Sequence, residues 1–212
     1  MRDFDHLIDG LAGELKPVRP VSPGRGRVLV LATAVATCAL VIVLLGVRPD
    51  IAAGEPMPLI LLISGLFIIV AAAATLAATR MARPAVGTNQ GGSQWALTAL
   101  LLLPAVALIS IGLRPSLAAG VEPSAGLSCL VLGLISGLAT GGLLTRWMRQ
   151  GAPANLARAG WLVGLASGAV GGLAITLECP HDALTHLGVW HVAVPVAAAA
   201  LGRALIPSLI RW

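Results

Sequence analysis

The stretch from Leu59 to Thr79 contains no charged side chain, and Val28 to Gly46 is a second stretch of the same kind. A helix needs about 20 mostly apolar residues to cross a hydrocarbon core. In lipid every backbone amide must be bonded within its own segment, so such stretches are helices rather than isolated strands. The whole chain of 212 residues agrees: 57% of it is hydrophobic and only 11% is charged, against roughly 25% charged in soluble domains. A soluble domain of this length has no interior large enough for that apolar surface.

The expected fold is an all-α membrane protein with six transmembrane helices arranged as three helical hairpins. The spans fall at about 28–47, 59–79, 94–113, 126–147, 156–177 and 188–207, separated by polar, Pro-bearing loops. Residues 27–212 then form the membrane domain, and residues 1–26 form a cytoplasmic segment too long and too acidic for the basic start of a signal peptide. With the N-terminus inside, the inner segments hold Arg2, Lys16, Arg19, Arg25, Arg27, Arg80, Arg83, Arg146, Arg149, Arg158, Arg203 and Arg211, and the outer loops hold only Arg48 and Arg114. The positive-inside rule therefore puts both termini in the cytoplasm of a multi-pass inner-membrane protein. The net charge of +5 is a topology signal, and no direct nucleic-acid binding is expected. Leu45-Gly46-Val47-Arg48-Pro49 repeats as Ile111-Gly112-Leu113-Arg114-Pro115, where each Arg is expected to snorkel to the headgroups. Trp95, Trp147, Trp161 and Trp190 fall where interfacial anchors belong.

No phosphate-binding loop, HExxH, GxSxG or CxxC is present, and the spans carry no charge at mid-membrane depth. An enzyme or an ion-coupled pump is therefore not expected. At 100° per residue Phe4, Leu7, Ile8, Leu11 and Leu15 share one stripe, with Asp5, Asp9, Glu14 and Lys16 on the flanks and back. This short amphipathic helix suits a basic partner protein with an apolar groove better than it suits anionic lipid, which repels its carboxylates. Resting on the inner headgroups is its bland alternative.

A second constellation lies in the fourth and fifth spans. Gly133, Gly137 and Gly141 recur every fourth residue, as do Gly160, Gly164, Gly168 and Gly172, and such small-residue faces let helices approach closely. Cys129 and Cys179 prolong these stripes at the outer ends, at heights that differ by only about 6 Å when counted from the inner loop at 1.5 Å per residue. The two thiols are thus expected to meet. Glu178-Cys179-Pro180-His181-Asp182, followed by His186 and His191, adds imidazoles. Cys129, Cys179, His181 and His186 are candidate ligands for a soft metal ion. The plainer reading makes the cysteines packing residues, His181, Asp182 and His186 solvated loop residues, and His191 a residue packed at a helix top. Cys38, mid-span in the first helix, is read as packing only.

Leu7-Ile8 and Leu11-Ala12 leading into Glu14-Leu15-Lys16-Pro17-Val18-Arg19, the Cys129 and Cys179 pair, Cys-Pro after the fifth span and Trp190-His191 opening the sixth together resemble the NrsF-type membrane anti-sigma factors. The resemblance covers essentially the whole chain. It implies that the cytoplasmic N-terminus sequesters an ECF-type sigma factor and that the outer cysteines sense heavy metals or oxidants and trigger its release. No cofactor is required on this reading, a heavy-metal ion being the signal. The competing classes are a membrane thiol-disulfide oxidoreductase, which generally needs a second dithiol or a quinone site, and a metal transporter, which needs ligands along a mid-membrane path.

Overall fold

The computed structural model describes residues 2–14, 21–83 and 92–211. Among these residues the chain is helical throughout, without strands. In chain order the elements are α1 (Arg2–Glu14), α2 (Pro23–Leu45), α3 (Pro49–Ala52), α4 (Pro58–Met81), α5 (Gly92–Leu113), a 3-10 segment (Pro115–Val121), α6 (Pro123–Met148), α7 (Leu156–Thr176), α8 (Leu184–His186), a π turn (Leu187–His191) and α9 (Val192–Ile210). Helices α2, α4, α6 and α7 and the continuous run Leu184–Ile210 are each long and apolar enough to cross a membrane. In α5 the described apolar stretch is shorter, Leu100–Leu113.

Proline opens α2, α4 and α6, where its missing N–H is one of the unpaired amides of a first turn in any case. The side chain of Asn155 caps α7 by accepting from the Arg158 N–H at 2.9 Å. Two contacts tie one end of the bundle together. The space above Gly26 of α2 is filled by Thr79 of α4 and Trp147 of α6, and the Ala152 N–H donates to the Ala82 carbonyl at 2.9 Å. Trp147, expected from the sequence as an interfacial anchor, is buried against its neighbouring helices at this end of the bundle. It closes the gap that Gly26 leaves.

Helix α7 is the axis. Its side chains are buried on every face, and α4, α6 and α9 all pack against it. A Cβ at Gly160 would strike the Gly202 carbonyl, and one at Gly164 the Ala198 carbonyl, while one at Gly168 would meet Ala198 and Pro195. The glycine stripe of α7 therefore faces α9, whose own line of Pro195, Ala198 and Gly202 is made of small or compact residues, and not the stripe of α6. Gly172 makes room for the ring of Phe67 of α4. The approach to α6 uses another side of α7: Gly137 and Gly141 lie against Ser167, and Gly171 lies against the Gly133 carbonyl. Thr140 of α6 donates to the Thr33 hydroxyl of α2 at 3.1 Å, a polar link of the kind that helps hold helices together in lipid.

Backbone contact this close leaves no space for a methyl group that must displace a carbonyl. Gly164→Val is expected to lower the thermal stability of the detergent-solubilised protein by about 1–3 kcal/mol, the usual cost of overpacking a well-packed core. Gly65→Val on α4, where a Cβ meets nothing within 4 Å, serves as the control and should leave it nearly unchanged. Equal melting temperatures for the two variants would contradict the α7–α9 contact.

Candidate functional site

The sulfur atoms of Cys129 and Cys179 are 3.6 Å apart at the end of the bundle opposite Gly26, both buried and both free thiols. Cys129 lies on α6 within its first two turns. Cys179 is not on a helix. Helix α7 stops at Thr176, and the N–H groups of Glu178 and Cys179 both donate back to the Ile175 carbonyl. Pro180 then bars any further turn. The thiol reaches α6 from this tight turn, so the expected meeting of the two cysteines occurs without the helical extension assumed for it.

What holds the turn in place is Arg48, which the sequence placed among the lipid headgroups. It is only 3% exposed. Its backbone N–H donates to the Leu177 carbonyl at 3.0 Å. Nη1 donates to the Cys179 carbonyl and, at 2.9 Å, to the His181 carbonyl. Nε pairs with Asp50 at 2.9 Å. Asp50 in turn accepts from the Met57 N–H at 3.1 Å. That bond and the Arg48 guanidinium hold its carboxyl below the usual carboxylate range. A carboxyl lowered in the folded state contributes stability above its ordinary value and loses it as pH falls through the lowered one, so the clamp stays intact at neutral and mildly acidic pH. Arg114, in the second copy of the motif, is exposed. Ser116 stands where the first copy has Asp50, so no carboxylate is there to hold the guanidinium inward.

Imidazoles surround the thiols. Nε2 of His186 lies 3.7 Å and Nδ1 of His181 lies 3.5 Å from the Cys179 sulfur. The two rings stack with centroids 4.4 Å apart, and His191 meets the His186 ring edge-on at 5.5 Å. His186 and His191 are fully enclosed, whereas His181 is exposed. The hydrogen bond from the Cys129 thiol, with that from His186, holds the Cys179 thiol well below the usual thiol range against the burial that opposes it. Burial pushes the neighbouring Glu178 carboxyl up.

His191 was not among the ligands expected from sequence. In an α-helix residues five apart stand about 140° from each other. The π turn spends an extra residue on the same rotation and brings His186 and His191 to roughly one face. Nδ1 of His191 lies 2.8 Å from the Thr176 hydroxyl, which itself lies 2.7 Å from the Gly172 carbonyl. A hydroxyl has one hydrogen, and that hydrogen goes to the carbonyl. Thr176 must then accept from Nδ1–H, which leaves Nε2 of His191 with a bare lone pair. Among the described residues that nitrogen is buried and has no hydrogen-bond partner. One ligand atom each from Cys129, Cys179, His186 and His191 lies within 4.8 Å of all the others.

Comparison with known proteins places this architecture. The family of negative regulators of sigma F, NrsF, matches residues 11–212. The chain belongs to the NrsF family. One relative is a probable anti-sigma-F factor NrsF of Azospira oryzae, 28% identical over 180 residues that cover 82% of this chain and 82% of that protein. No solved structure matches. The matched part of this NrsF-family chain includes the whole thiol site and its Arg48 clamp, but most of α1 precedes it. On α1, Ile8 and Leu11 are 61% and 58% exposed, while Leu15 and the side chains of Phe4 and Leu7 lie outside the described residues. Cys38 is half-buried on α2, apart from the site.

If Arg48 holds the Cys179 turn shut, removing its guanidinium should open it. In a Cys38→Ser, Cys129→Ser background, where Cys179 is the only thiol, Arg48→Met is expected to speed maleimide labelling by about tenfold or more, the change in an equilibrium that follows from losing one hydrogen bond to a charged group. Arg114→Met should leave the rate unchanged. A rate in Arg48→Met equal to that of its parent would show that the clamp does not control access.

Proposed function

We propose that this NrsF-family protein is a membrane-bound anti-sigma factor that holds an ECF-type sigma factor through its N-terminal helix and releases it when Cys129 and Cys179 react with a heavy metal or an oxidant. The thiol pair, buried at contact distance beside three imidazoles, carries this reading. The family and its relative supply the regulatory role. The distribution of Lys and Arg favours six crossings of the inner membrane, with both termini in the cytoplasm and the thiols on the periplasmic side, where oxidised cysteine persists. Two protein thiols joining as a disulfide give up two electrons and two protons, which a two-electron oxidant accepts. No catalytic turnover is involved: the change in the thiols is the signal.

Sigma factors bind DNA and so carry basic surfaces, to which an acidic amphipathic helix is a suitable competitor. The exposed Ile8 and Leu11 of α1 suit an apolar groove on that partner. Signal and docking element are joined through α2. Arg48, three residues past its last turn, grips the Cys179 turn, and the chain preceding α2 is the docking segment itself. A change in thiol geometry that disturbs the carbonyls of Cys179 and His181 therefore acts on the end of the helix that leads back to the sigma factor. Two packings of α2 that differ by a few kcal/mol meet the need of a switch.

A charge placed in a desolvated helix groove loses most of the binding energy. Leu11→Asp and Leu7→Asp should each derepress a sigma-dependent reporter constitutively, with the amount of protein in the membrane unchanged. Full repression by both variants would remove α1 as the docking element. For the sensing end, Cys129→Ser, Cys179→Ser and the double variant should lose induction equally, because either loss breaks the unit, whereas Cys38→Ser should respond like the parent. Partial losses that add would mean two separate thiols.

A further inference from the structure

We infer that Cys129, Cys179, His186 and His191 form a preorganised four-coordinate site for one divalent ion of the zinc group, Zn2+ or Cd2+, with Nε2 of His191 as its fourth donor. This rests on the reading of the thiols as the sensing end and names the chemistry they sense. Two sulfurs at about 2.3 Å from a tetrahedral zinc lie about 3.8 Å apart, and such a sulfur and an imidazole nitrogen lie about 3.6 Å apart. Here the sulfurs are 3.6 Å apart, and Cys179 Sγ is 3.7 Å from His186 Nε2. Two edges of the coordination tetrahedron are thus already in place, and the remaining separations, none above 4.8 Å, close by small side-chain rotations.

The second, independent observation is the buried Nε2 of His191, which has no hydrogen-bond partner among the described residues. Its other ring nitrogen, Nδ1–H, donates a hydrogen bond to Thr176, whose own hydroxyl donates to the Gly172 carbonyl. Fixing a ligating imidazole by a hydrogen bond from its other nitrogen is how metal sites set tautomer and ring orientation. Buried ring nitrogens ordinarily find a partner, and this one faces the two sulfurs and His186 within 4.8 Å. Charge also balances: two thiolates and a divalent ion make a neutral centre, the form that costs least to bury. Thiolate and imidazole donors select zinc-group ions over the harder magnesium or calcium. Exposed His181, with Nδ1 3.5 Å from the Cys179 sulfur and its ring stacked on His186, stands at the surface side of the four donors, where an arriving ion meets it first. It is an entry ligand rather than one of the four.

The test uses the purified full-length protein, reduced and in detergent, titrated with Co2+ as a spectroscopic probe and with Cd2+ in competition. One Co2+ per chain is expected, with tetrahedral ligand-field bands and a thiolate-to-metal charge-transfer band, displaced by Cd2+. Cys129→Ser, Cys179→Ser and His186→Ala should each abolish or shift those bands, and His181→Ala should keep them. Thr176→Val leaves all four donors in place and removes only the partner of His191, so it should weaken binding by about 10–100-fold without altering the fold. The inference is overturned by the lack of a charge-transfer band in the reduced protein, or by parental affinity in both His191→Gln and Thr176→Val. If that happens while Cys129→Ser and Cys179→Ser still lose induction in cells, the thiols sense an oxidant and only the metal site falls. If the metal binds as described and those variants induce normally, the site stands and the sensing reading falls.

Discussion

Lipid tails are as apolar as leucine, so burying apolar side chains gives no drive to bring one membrane helix against another, and close packing must supply it. In this protein that requirement falls on α7. Backbone carbonyls of α6 and α9 occupy the positions where side chains of α7 would otherwise stand, at Gly160, Gly164 and Gly171. Phe67 of α4 fills the space left by Gly172. The packing of α7 sets where Thr176 and Ile175 end up, and from them follow the Cys179 turn and the orientation of His191. Larger side chains along α7 would separate the donors before touching any of them.

The two copies of the Arg-Pro motif show how one neighbouring residue decides the fate of a charge. Arg48 and Arg114 each follow an apolar helix and precede a proline. Arg48 pairs with Asp50 through Nε, and its Nη1 and backbone N–H donate to three backbone carbonyls, so its charge is held away from water with a partner. Arg114 has Ser116 at the equivalent position and points outward. The first copy has become a structural bolt between α2 and the thiol turn. The second is a solvated helix end.

Five helices long and apolar enough to cross a membrane were legible in the sequence because a bilayer imposes a length and forbids unpaired amides, and both leave long charge-free stretches such as Leu59 to Thr79. The meeting of Cys129 and Cys179 was legible as well, since height along antiparallel helices can be counted. The choice of α9 as the partner of the α7 stripe was not, because a glycine period shows that a face is bare without showing which neighbour covers it. The signal was present in Pro195, Ala198 and Gly202. His191 escaped for a different reason: at 100° per residue it falls away from His186, and a π turn has no plain sequence signature. Arg48 was misplaced because its partner Asp50 is two residues on, a spacing that matters only once the loop folds back.

On the proposed function, a chemical change at the thiols is felt across the membrane by the partner held on the N-terminal helix. The most direct measurement reconstitutes the protein in vesicles with the sigma factor bound on one side, and adds a membrane-impermeant thiol oxidant to the other side alone. The sigma factor should dissociate as Cys129 and Cys179 react, and should stay bound when both are serine. Complete reaction of both thiols with the sigma factor still fully retained would contradict it.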